Sequence, residues 1–337
     1  MKIGIFTSFK NHHLKVVEAC EDIGVDCEIV DVLSSDWISN VRESDCTGFF
    51  CPSISTSQEK KSVLDERYYF ISQILKKPIY PDFLGLFIHE NKRNMATWLE
   101  IHGYKYVPTK IFTNKKEALE YVSNASYPLV FKASLGSGAR KVNIVTNRFK
   151  AKKFVKRVFP IEIRKRAISI LNIGKVYWTT IGHIKVPDFS ATQKDYLIIQ
   201  EYKNIIHEWR IIKIGNSYFG HQKLLKGQFA SGSGRVGWVA PPKELLYTVK
   251  ELCDEGGFLC MGVDIFETIQ GEYFINELQT SFGSYIDYQM CIDGKPGRYR
   301  FIDNDFIFEE GMFNTFESNR LKIEHFIEVL KEYDTLL

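Results

Sequence analysis

Short apolar runs alternate with amphipathic stretches over residues 1–82 of the chain. The apolar runs are strand-like: KIGIF (2–6), CEIVDV (27–32), TGFFC (47–51) and PIYPD (78–82). The amphipathic stretches between these runs predict helices over roughly 10–23 and 58–76, with a shorter helix before the third strand. Strands that alternate with helices are typical of a small parallel α/β layer.

Ligands of parallel sheets gather at the carboxyl ends of the strands. Two loops in such positions, Thr7 to His13 and Cys51 to Ser57, are candidates for holding a second substrate, and ordinary polar connections are an equally good interpretation. No Gly-x-Gly-x-x-Gly motif follows the first strand, so the sequence predicts no dinucleotide site there.

Residues 261–284 predict a β-hairpin that brings two acids together. With its turn at 270–271, Asp264 faces Glu277, and Gln279 lies on the same face. The opposite face carries the apolar residues Val263, Ile265, Phe274 and Leu278. Opposed carboxylates have Cβ atoms about 5 Å apart and repel each other unless a cation lies between them.

A divalent metal ion is the simplest such cation. The ligands on this face are hard oxygen donors without a neighbouring Cys or His, which favours Mg²⁺ over zinc, and Mg²⁺ usually arrives with a nucleotide phosphate. A solvated hairpin face, with acids too far apart to interact, is the alternative that this stretch alone leaves open.

A strand at 127–132 ends in Lys132 and is followed by the loop Gly136-Ser137-Gly138. Glycines let backbone N–H groups turn toward a phosphate, and a strand lysine adds a charge to the same oxygens. The combination predicts a phosphate-binding loop, although a Gly-Ser-Gly loop by itself is often a plain turn. Lys92, in a helix predicted over 91–102, is in isolation a solvated surface lysine.

A second hairpin is predicted over 207–225, with its turn at 215–216. That turn pairs Glu208 with Lys223, Arg210 with His221, and Ile212 with Phe219. Four ionisable groups thus share a face, as they also would on an ordinary exposed sheet. The glycine-rich segment 227–238 follows and holds Arg235, as expected of a loop that closes over an anion.

Composition narrows the class of protein. With 337 residues, the chain is long enough for two or three domains, and 45% apolar and 25% charged residues are ordinary for a soluble protein. The net charge of +3 gives no case for nucleic acid, and no apolar run is long enough to span a membrane. Because no signal peptide precedes the first strand, we expect a cytoplasmic protein.

Two further features of the composition bear on partners. The seven cysteines form no Cys-x-x-Cys motif, and we interpret them as reduced, mostly buried thiols. Basic residues cluster over 148–166, which we interpret as a solvated helix face, with an acidic or polyanionic partner as the alternative.

Taken in their order along the chain, these predicted strands, loops and hairpins resemble the sequence pattern of the ATP-grasp superfamily. Over about 92–283 the likeness is strongest to the ligases that add glutamate to a ribosomal protein tail, and D-alanine:D-alanine ligase is more distant. The resemblance implies a mixed α/β and α+β architecture in which two α+β lobes grip ATP. A small parallel α/β domain (1–90) would precede a small ATP-grasp lobe (91–199) and a large lobe with the metal site (200–337).

The resemblance also implies a role for each matching residue. ATP would be held by Lys92 and Lys132 at the phosphates, by the flexible loop of Gly136, Ser137 and Gly138, by the adenine hinge of Gln200, Glu201 and Tyr202, and by Glu208 at the ribose. Asp264, Glu277 and Gln279 would hold one or two Mg²⁺ ions, with Mn²⁺ as a substitute. Lys223 and Arg235 fall near the transferred phosphate or acyl group, and Arg210 lies two residues after Glu208.

Three residues depart from the family pattern. Gln279 stands where asparagine is usual, Met261 where some members have arginine, and Phe282 where proline is usual. We therefore expect an unusual acceptor end of the site.

The leading hypothesis is an ATP- and Mg²⁺-dependent carboxylate-amine ligase that works through an acyl phosphate and releases ADP and phosphate. Its substrates would be an amine and a carboxylate from a small molecule, a peptide or a saccharide, and a homo-oligomer stays open. A phosphotransferase on the same fold and a non-catalytic, ATP-gated binding protein are the alternatives.

Overall fold

The computed structural model describes residues 1–8, 11–52, 58–134, 142–159, 177–181, 184–188, 196–230, 232–282 and 286–336. Sheets of four, four and eight strands form its framework, together with a two-stranded hairpin. None of the described helices is both long and apolar enough to cross a membrane.

The first sheet is parallel, which confirms the predicted α/β layer. Its order is β2-β1-β3-β4, formed by β1 (Lys2–Phe6), β2 (Asp26–Val30), β3 (Gly48–Phe50) and β4 (Ile79–Tyr80). The helices between them are α1 (His13–Ile23), α2 (Trp37–Glu43) and α3 (Gln58–Tyr69), which runs into a π-helical turn (Phe70–Ile74).

Aromatic packing explains a glycine in the first strand of this sheet. A Cβ atom at Gly4 would lie 2.4 Å from the ring of Phe49. The same ring stacks on Phe6 with 4.9 Å between centroids. The missing side chain therefore lets an aromatic core form between sheet and helices.

Two helices lead from the first sheet to the second, α4 (Phe83–Ile88) and α5 (Lys92–Ile101). Asp82 caps α4 by accepting from the Gly85 N–H at 2.6 Å, and Asn91 caps α5 by accepting from the Asn94 N–H at 3.4 Å. The Lys92 N–H donates to the Ser134 carbonyl at 3.3 Å, which ties the start of α5 to the second sheet.

The second sheet is antiparallel, in the order β5-β10-β6-β7. In chain order its region contains β5 (Thr109–Phe112), α6 (Lys115–Asn124), β6 (Leu129–Lys132), β7 (Val142–Val145), α7 (Arg148–Val158), the hairpin of β8 (Tyr177–Ile181) and β9 (Ile184–Asp188), and β10 (Leu197–Glu201). One core forms as Ala118 and Val155 from the two helices pack against Phe131 of the sheet. The first part of the basic run lies on α7, and residues 160–166 are outside the described residues.

The third sheet has the order β15-β14-β11-β12-β17-β16, with β13 on β12 and β18 on β17. Its elements are β11 (Ile205–Ile214), β12 (Ser217–Leu224), β13 (Val236–Gly237), α8 (Lys243–Gly256), β14 (Cys260–Thr268), β15 (Tyr273–Gln279), β16 (Cys291–Ile292), β17 (Lys295–Ile302), β18 (Asp305–Glu310) and α9 (Asn319–Leu336). One face is apolar, where Ile211, Val263 and Leu278 pack with Leu246 and Val249 of α8. The other face carries Glu208 and Arg210 toward one end, and Ile212, Ile214 and Phe219 in a second core toward the other.

The pairing predicted for the second hairpin is confirmed. Strands β11 and β12 place Glu208 opposite Lys223, Arg210 opposite His221, and Ile212 opposite Phe219.

The pairing predicted for the acidic hairpin is right at one end and wrong at the other. Asp264 lies opposite Glu277, as expected, but a β-bulge shifts the register so that Ile265 pairs with Ile275 and Phe266 with Phe274. Asn276 is the extra residue of the bulge.

The bulge has two consequences for the hairpin. Its turn contains three residues, 269–271, because the Thr268 N–H donates to the Glu272 carbonyl at 2.9 Å. Phe274, predicted on the apolar face, lies instead beside Phe266 and under the ammonium groups of Lys105 and Lys203, 4.7 and 4.4 Å from its centroid.

Candidate active site

A cleft of about 730 Å³ opens between the second and third sheets. Seven of the residues that the resemblance assigned to ATP or metal line it: Lys92, Lys132, Gln200, Glu201, Tyr202, Glu208 and Glu277. Distant stretches of the chain thus meet in one cleft.

The inner part of the cleft is an apolar slot. One wall comes from β6 and β7, with Val130, Val142 and Ile144, and the facing wall includes Ile205 and Phe266 of the third sheet. Apolar walls on both sides suit a flat ring better than a hydrated chain.

Asp264 is the most enclosed acid near the cleft, with no exposed surface. Arg210 donates to its two oxygens at 2.8 and 2.9 Å, and the Lys223 ammonium lies 2.7 Å from Oδ2. Burial alone would raise the pKa of Asp264, but these two cations hold it well below its usual range. The carboxylate is therefore ionised at neutral pH.

Glu208 is the second buried acid of the site, with 1% exposure. Lys223 pairs with it, and the Asn276 amide N–H donates to its Oε2 at 3.1 Å. Burial raises the pKa of Glu208, and the lysine offsets part of this rise. One ammonium group is thus shared between Glu208 and Asp264.

Asn276 links the two sheets across the cleft. Its Oδ1 accepts from the Lys132 ammonium at 2.9 Å, while its Nδ2 donates to Glu208. An amide suits this position because it offers an acceptor to the cation and a donor to the anion. Sequence reasoning missed Asn276, and the signal was the consecutive polar pair Asn276-Glu277 within an otherwise alternating strand.

Lys132 lies at the end of β6, where the strand reaches the cleft. Burial lowers the pKa of its ammonium to about 8, and the nearby charge of Lys92 acts in the same direction. A phosphate would reverse this effect, because an anion favours the protonated lysine.

Lys92 and Glu277 form an ion pair close to Lys132, with 3.3 Å between Nζ and Oε1. The Glu277 side chain retains 25% exposure, in contrast to the enclosed Asp264. Glu277 is therefore the acid of the pair that is more open to a ligand from the cleft.

No protein-family model matches the chain, and no curated protein matches it. Solved structures do match. D-cycloserine synthetase DcsG aligns over 98% of this chain and 100% of its own, with a TM-score of 0.58 and 14% identity. A RimK domain ATP-grasp protein from Sphaerobacter thermophilus aligns over 82% and 90%, with a TM-score of 0.52 and 12% identity.

An N5-carboxyaminoimidazole ribonucleotide synthetase, solved as an ADP complex, aligns over 83% of this chain and 70% of its own, with a TM-score of 0.55 and 14% identity. The chain has the ATP-grasp fold. At these identities the likeness establishes the fold and confirms the predicted fold class, with the parallel sheet preceding the antiparallel ones.

Not every residue expected from the ATP-grasp resemblance lies in the cleft. Arg235 is exposed, and its guanidinium donates to the Leu225 carbonyl at 3.5 Å, with no contact to Asp264 or Glu277 within the described part of the chain. Gln279 donates from Nε2 to Asp264 at 3.2 Å, so it belongs to the acid network. Gly136, Ser137 and Gly138 lie outside the described residues.

The donor set of the acid network suits a hard cation. Asp264, Glu277 and Gln279 offer only oxygen ligands, and the positive charges now beside Asp264 are those of Arg210 and Lys223. A metal ion at Asp264 would take the place of Lys223 at Oδ2, and the carboxylate has a lone pair left on each oxygen beside Arg210.

One triad of possible metal ligands lies far from the cleft, at Glu28, Asp45 and Cys46. The ammonium of Lys2 already lies 2.6 Å from Glu28 and 2.7 Å from Asp45. A lysine therefore supplies the positive charge there.

Proposed function

We propose that the protein is an ATP- and Mg²⁺-dependent carboxylate-amine ligase that works through an acyl phosphate. The observation that carries the proposal is the cleft itself, where an apolar slot from two sheets ends in two lysines and a group of ordered acids. An apolar base, an anionic tail and bound cations are what such a cleft accommodates. The ATP-grasp fold supports the choice of ATP.

The adenine would lie in the slot between Val130 and Phe266, with its edge toward the hinge 200–202. The Glu201 N–H already donates to the Pro108 carbonyl at 2.9 Å. Adenine recognition would therefore use the Glu201 carbonyl or the backbone of Tyr202 and Lys203. Lys92 and Lys132 would meet the phosphates, and Glu208 would accept from the ribose hydroxyls.

Asp264, Glu277 and Gln279 would hold one or two Mg²⁺ ions, with Mn²⁺ as a substitute. Bound there, the metal would neutralise phosphate charge and favour in-line transfer of the γ-phosphoryl group. Phosphate oxygens would take over Lys223, one of the two cations that now pair with Asp264, while Arg210 keeps its contact with Asp264. Nucleotide and metal would thus enter the acid network together.

The chemistry runs in two displacements. A substrate carboxylate oxygen attacks the γ-phosphorus, and ADP leaves with the electron pair of the broken P–O bond. A neutral amine then attacks the acyl carbon, inorganic phosphate leaves, and the amine proton passes to solvent or phosphate. Lys223, Arg210 and Arg235 would stabilise the negative charge on the acyl oxygen.

Water has to be kept from the acyl phosphate. Gln228, Phe229 and Ala230 of the glycine-rich segment already line the cleft, next to the slot. We propose that this segment acts as a cover, together with the predicted loop of Gly136 to Gly138. We also propose the divisions 1–90, 91–199 and 200–337 as functional domains, with a cytoplasmic location and no nucleic-acid partner.

The test is ADP formation from MgATP with a panel of carboxylates, each with and without amines. Hydroxylamine is added in a parallel series, because it converts acyl phosphates into stable hydroxamates. Acid-dependent ADP release with hydroxamate formation supports the ligase. A stable phosphorylated product that needs no amine would show a phosphotransferase, and tight ATP binding without turnover would show a binding protein.

A further inference from the structure

We propose that Arg210, His221, Trp238 and Tyr288 form the subsite for the carboxylate substrate, and that this substrate has a ring-shaped body that packs on the two aromatic side chains. This inference rests on the proposed ligase function. It extends that function by naming the chemical class of the acid.

Arg210 has donors left over for a ligand. Its Nε and one Nη2 hydrogen bond go to Asp264, and Nη1 has no partner within the described part of the chain. The side chain retains 19% exposure. Because Asp264 holds the guanidinium in a fixed orientation, the two Nη1 N–H groups form a preorganised contact for a carboxylate.

His221 lies directly opposite Arg210 in the β11–β12 pair and is 7% exposed. Its Nδ1 contacts the Gln289 carbonyl at 2.8 Å, and a carbonyl can only accept, so the proton is on Nδ1. Burial and the charge of Arg210 lower the pKa of His221 to about 4. The imidazole is therefore neutral, fixes the backbone next to Tyr288, and adds no positive charge beside Arg210.

Trp238 and Tyr288 continue this group beyond His221. The rings of Trp238 and Tyr288 lie 4.9 Å apart at an angle of 60°, and the Trp238 ring lies 5.5 Å from that of His221. Both are partly exposed, and the indole N–H and the phenol hydroxyl have no partner within the described residues. Two open aromatic side chains beside an oriented guanidinium suit an acid with a flat or ring-shaped body.

The position of this group also fits the reaction. None of its four residues is among the described residues that line the nucleotide cleft. Arg210 and Asp264 connect the nucleotide cleft to the proposed subsite, because Arg210 contacts Asp264 on one side and faces His221 on the neighbouring strand. A carboxylate on Arg210 would thus approach the phosphoryl group from the side opposite the adenine slot.

The experiment compares ring-bearing acids with straight-chain acids of similar size in the wild-type protein and in Trp238→Leu and Tyr288→Leu. Trp37→Leu is the matched control, because Trp37 lies on α2 beside Arg67, in the first domain. We expect Trp238→Leu to raise the KM for ring-bearing acids at least about 10-fold, the equivalent of 1.4 kcal/mol. The KM for straight-chain acids should rise less than that for ring-bearing acids in Trp238→Leu, and in Trp37→Leu the KM for each substrate should stay within about twofold.

Two readouts separate the failure of this inference from the failure of the proposed function. If no acid drives ADP release, the ligase proposal fails, and thermal shifts with the same acids still report binding at the subsite. If ring-bearing acids bind or react equally well in the wild type and in Trp238→Leu, the subsite is wrong and the ligase proposal stands. Tyr288→Leu removes the second ring of the subsite and should also raise the KM for ring-bearing acids, so it keeps the proposal testable if Trp238→Leu does not fold.

Discussion

Arg210 grips Asp264 with two parallel hydrogen bonds, from Nε to Oδ1 at 2.8 Å and from Nη2 to Oδ2 at 2.9 Å. Lys223 adds a third contact at 2.7 Å, and none of the Asp264 surface is exposed. The network therefore places one buried carboxylate among charged donors, where each partner depends on the others. Such groups are sensitive to the removal of one member.

Asp264→Leu should lower the free energy of unfolding by about 3–5 kcal/mol, because it removes the carboxylate that holds the buried Arg210 guanidinium, while Lys223 keeps Glu208 as its partner. Urea unfolding measures this. Asp305→Leu is the control, since Asp305 pairs with Lys243 at the surface, and this variant should lose much less stability than Asp264→Leu. The double variant Arg210→Met/Asp264→Leu should recover much of the loss. Equal effects at Asp264 and Asp305 would contradict the network.

Glu277→Gln should abolish Mg²⁺-dependent ADP formation and leave the fold intact. The side chain is 25% exposed and keeps its place on β15, so the amide can be accommodated, but it removes the charge proposed to bind the metal. We expect a loss of at least about 100-fold in turnover, or about 2.7 kcal/mol in transition-state stabilisation.

The matched control for Glu277 is Glu272→Gln on the same hairpin, where the carboxylate pairs with Lys105 at the surface. Thermal unfolding and ADP release are measured for both variants. Turnover in Glu277→Gln close to that of Glu272→Gln would remove Glu277 from the metal site.

Lys132 should impose an upper limit on the pH range of ATP use. Its pKa of about 8 means that the free protein loses this positive charge as the pH rises through that value. The kcat/KM for ATP should therefore fall above pH 8, while kcat falls at higher pH because bound phosphate favours the protonated amine. Lys132→Arg keeps its charge and should remove this limb. If the fall in kcat/KM above pH 8 is unchanged in Lys132→Arg, a group other than Lys132 causes it.

The same group gives a stability test with a defined sign. The pKa of Lys132 is lower in the folded protein than the ordinary value of 10.5, so the unfolded chain binds more protons between pH 8 and 10.5. The contribution of Lys132 to the free energy of unfolding should rise across that window and be flat below it. Urea unfolding of the wild type and of Lys132→Met shows the difference.

Sequence reasoning succeeded where a regular pattern fixed the structure. The turn at 215–216 settled the whole β11–β12 register, including Glu208 opposite Lys223. The pairing of Asp264 with Glu277 was also right. These results depend on the alternation of side chains along strands, which a sequence displays directly.

It failed where one residue departed from that pattern. The bulge at Asn276 changed the turn and moved Phe274 to the other face, because one extra residue reverses the alternation. The ion pairs of Asp264 with Arg210 and Lys223 were also missed. Whether such a pair forms across neighbouring strands depends on which side chains are long enough to contact each other, and a metal ion was the simpler expectation. Strand order in the eight-stranded sheet, set by long-range packing, was not predicted at all.

The affinity of the cleft for MgATP should depend on the amide group of Asn276 more than on the size of this side chain. Its two hydrogen bonds run in opposite senses, from Lys132 to its oxygen and from its nitrogen to Glu208. Asn276→Asp keeps the size but places a carboxylate against Glu208, while it strengthens the hold on Lys132. We expect the Kd for MgATP to rise at least about 10-fold, or 1.4 kcal/mol, because Lys132 is then withdrawn from the phosphates.

Asn276→Leu separates this effect from simple loss of packing. It removes both hydrogen bonds and leaves Lys132 and Glu208 without the bridge, so the free energy of unfolding should fall by about 1–3 kcal/mol. Asn124→Asp makes the same chemical change on the exposed end of α6 and should leave MgATP binding unchanged. Calorimetric titration of MgATP into the three variants decides the matter. If Asn276→Asp binds MgATP as tightly as Asn124→Asp, the Asn276 bridge does not affect nucleotide binding. The two variants make the same chemical change and differ only in whether the new charge lies beside Glu208.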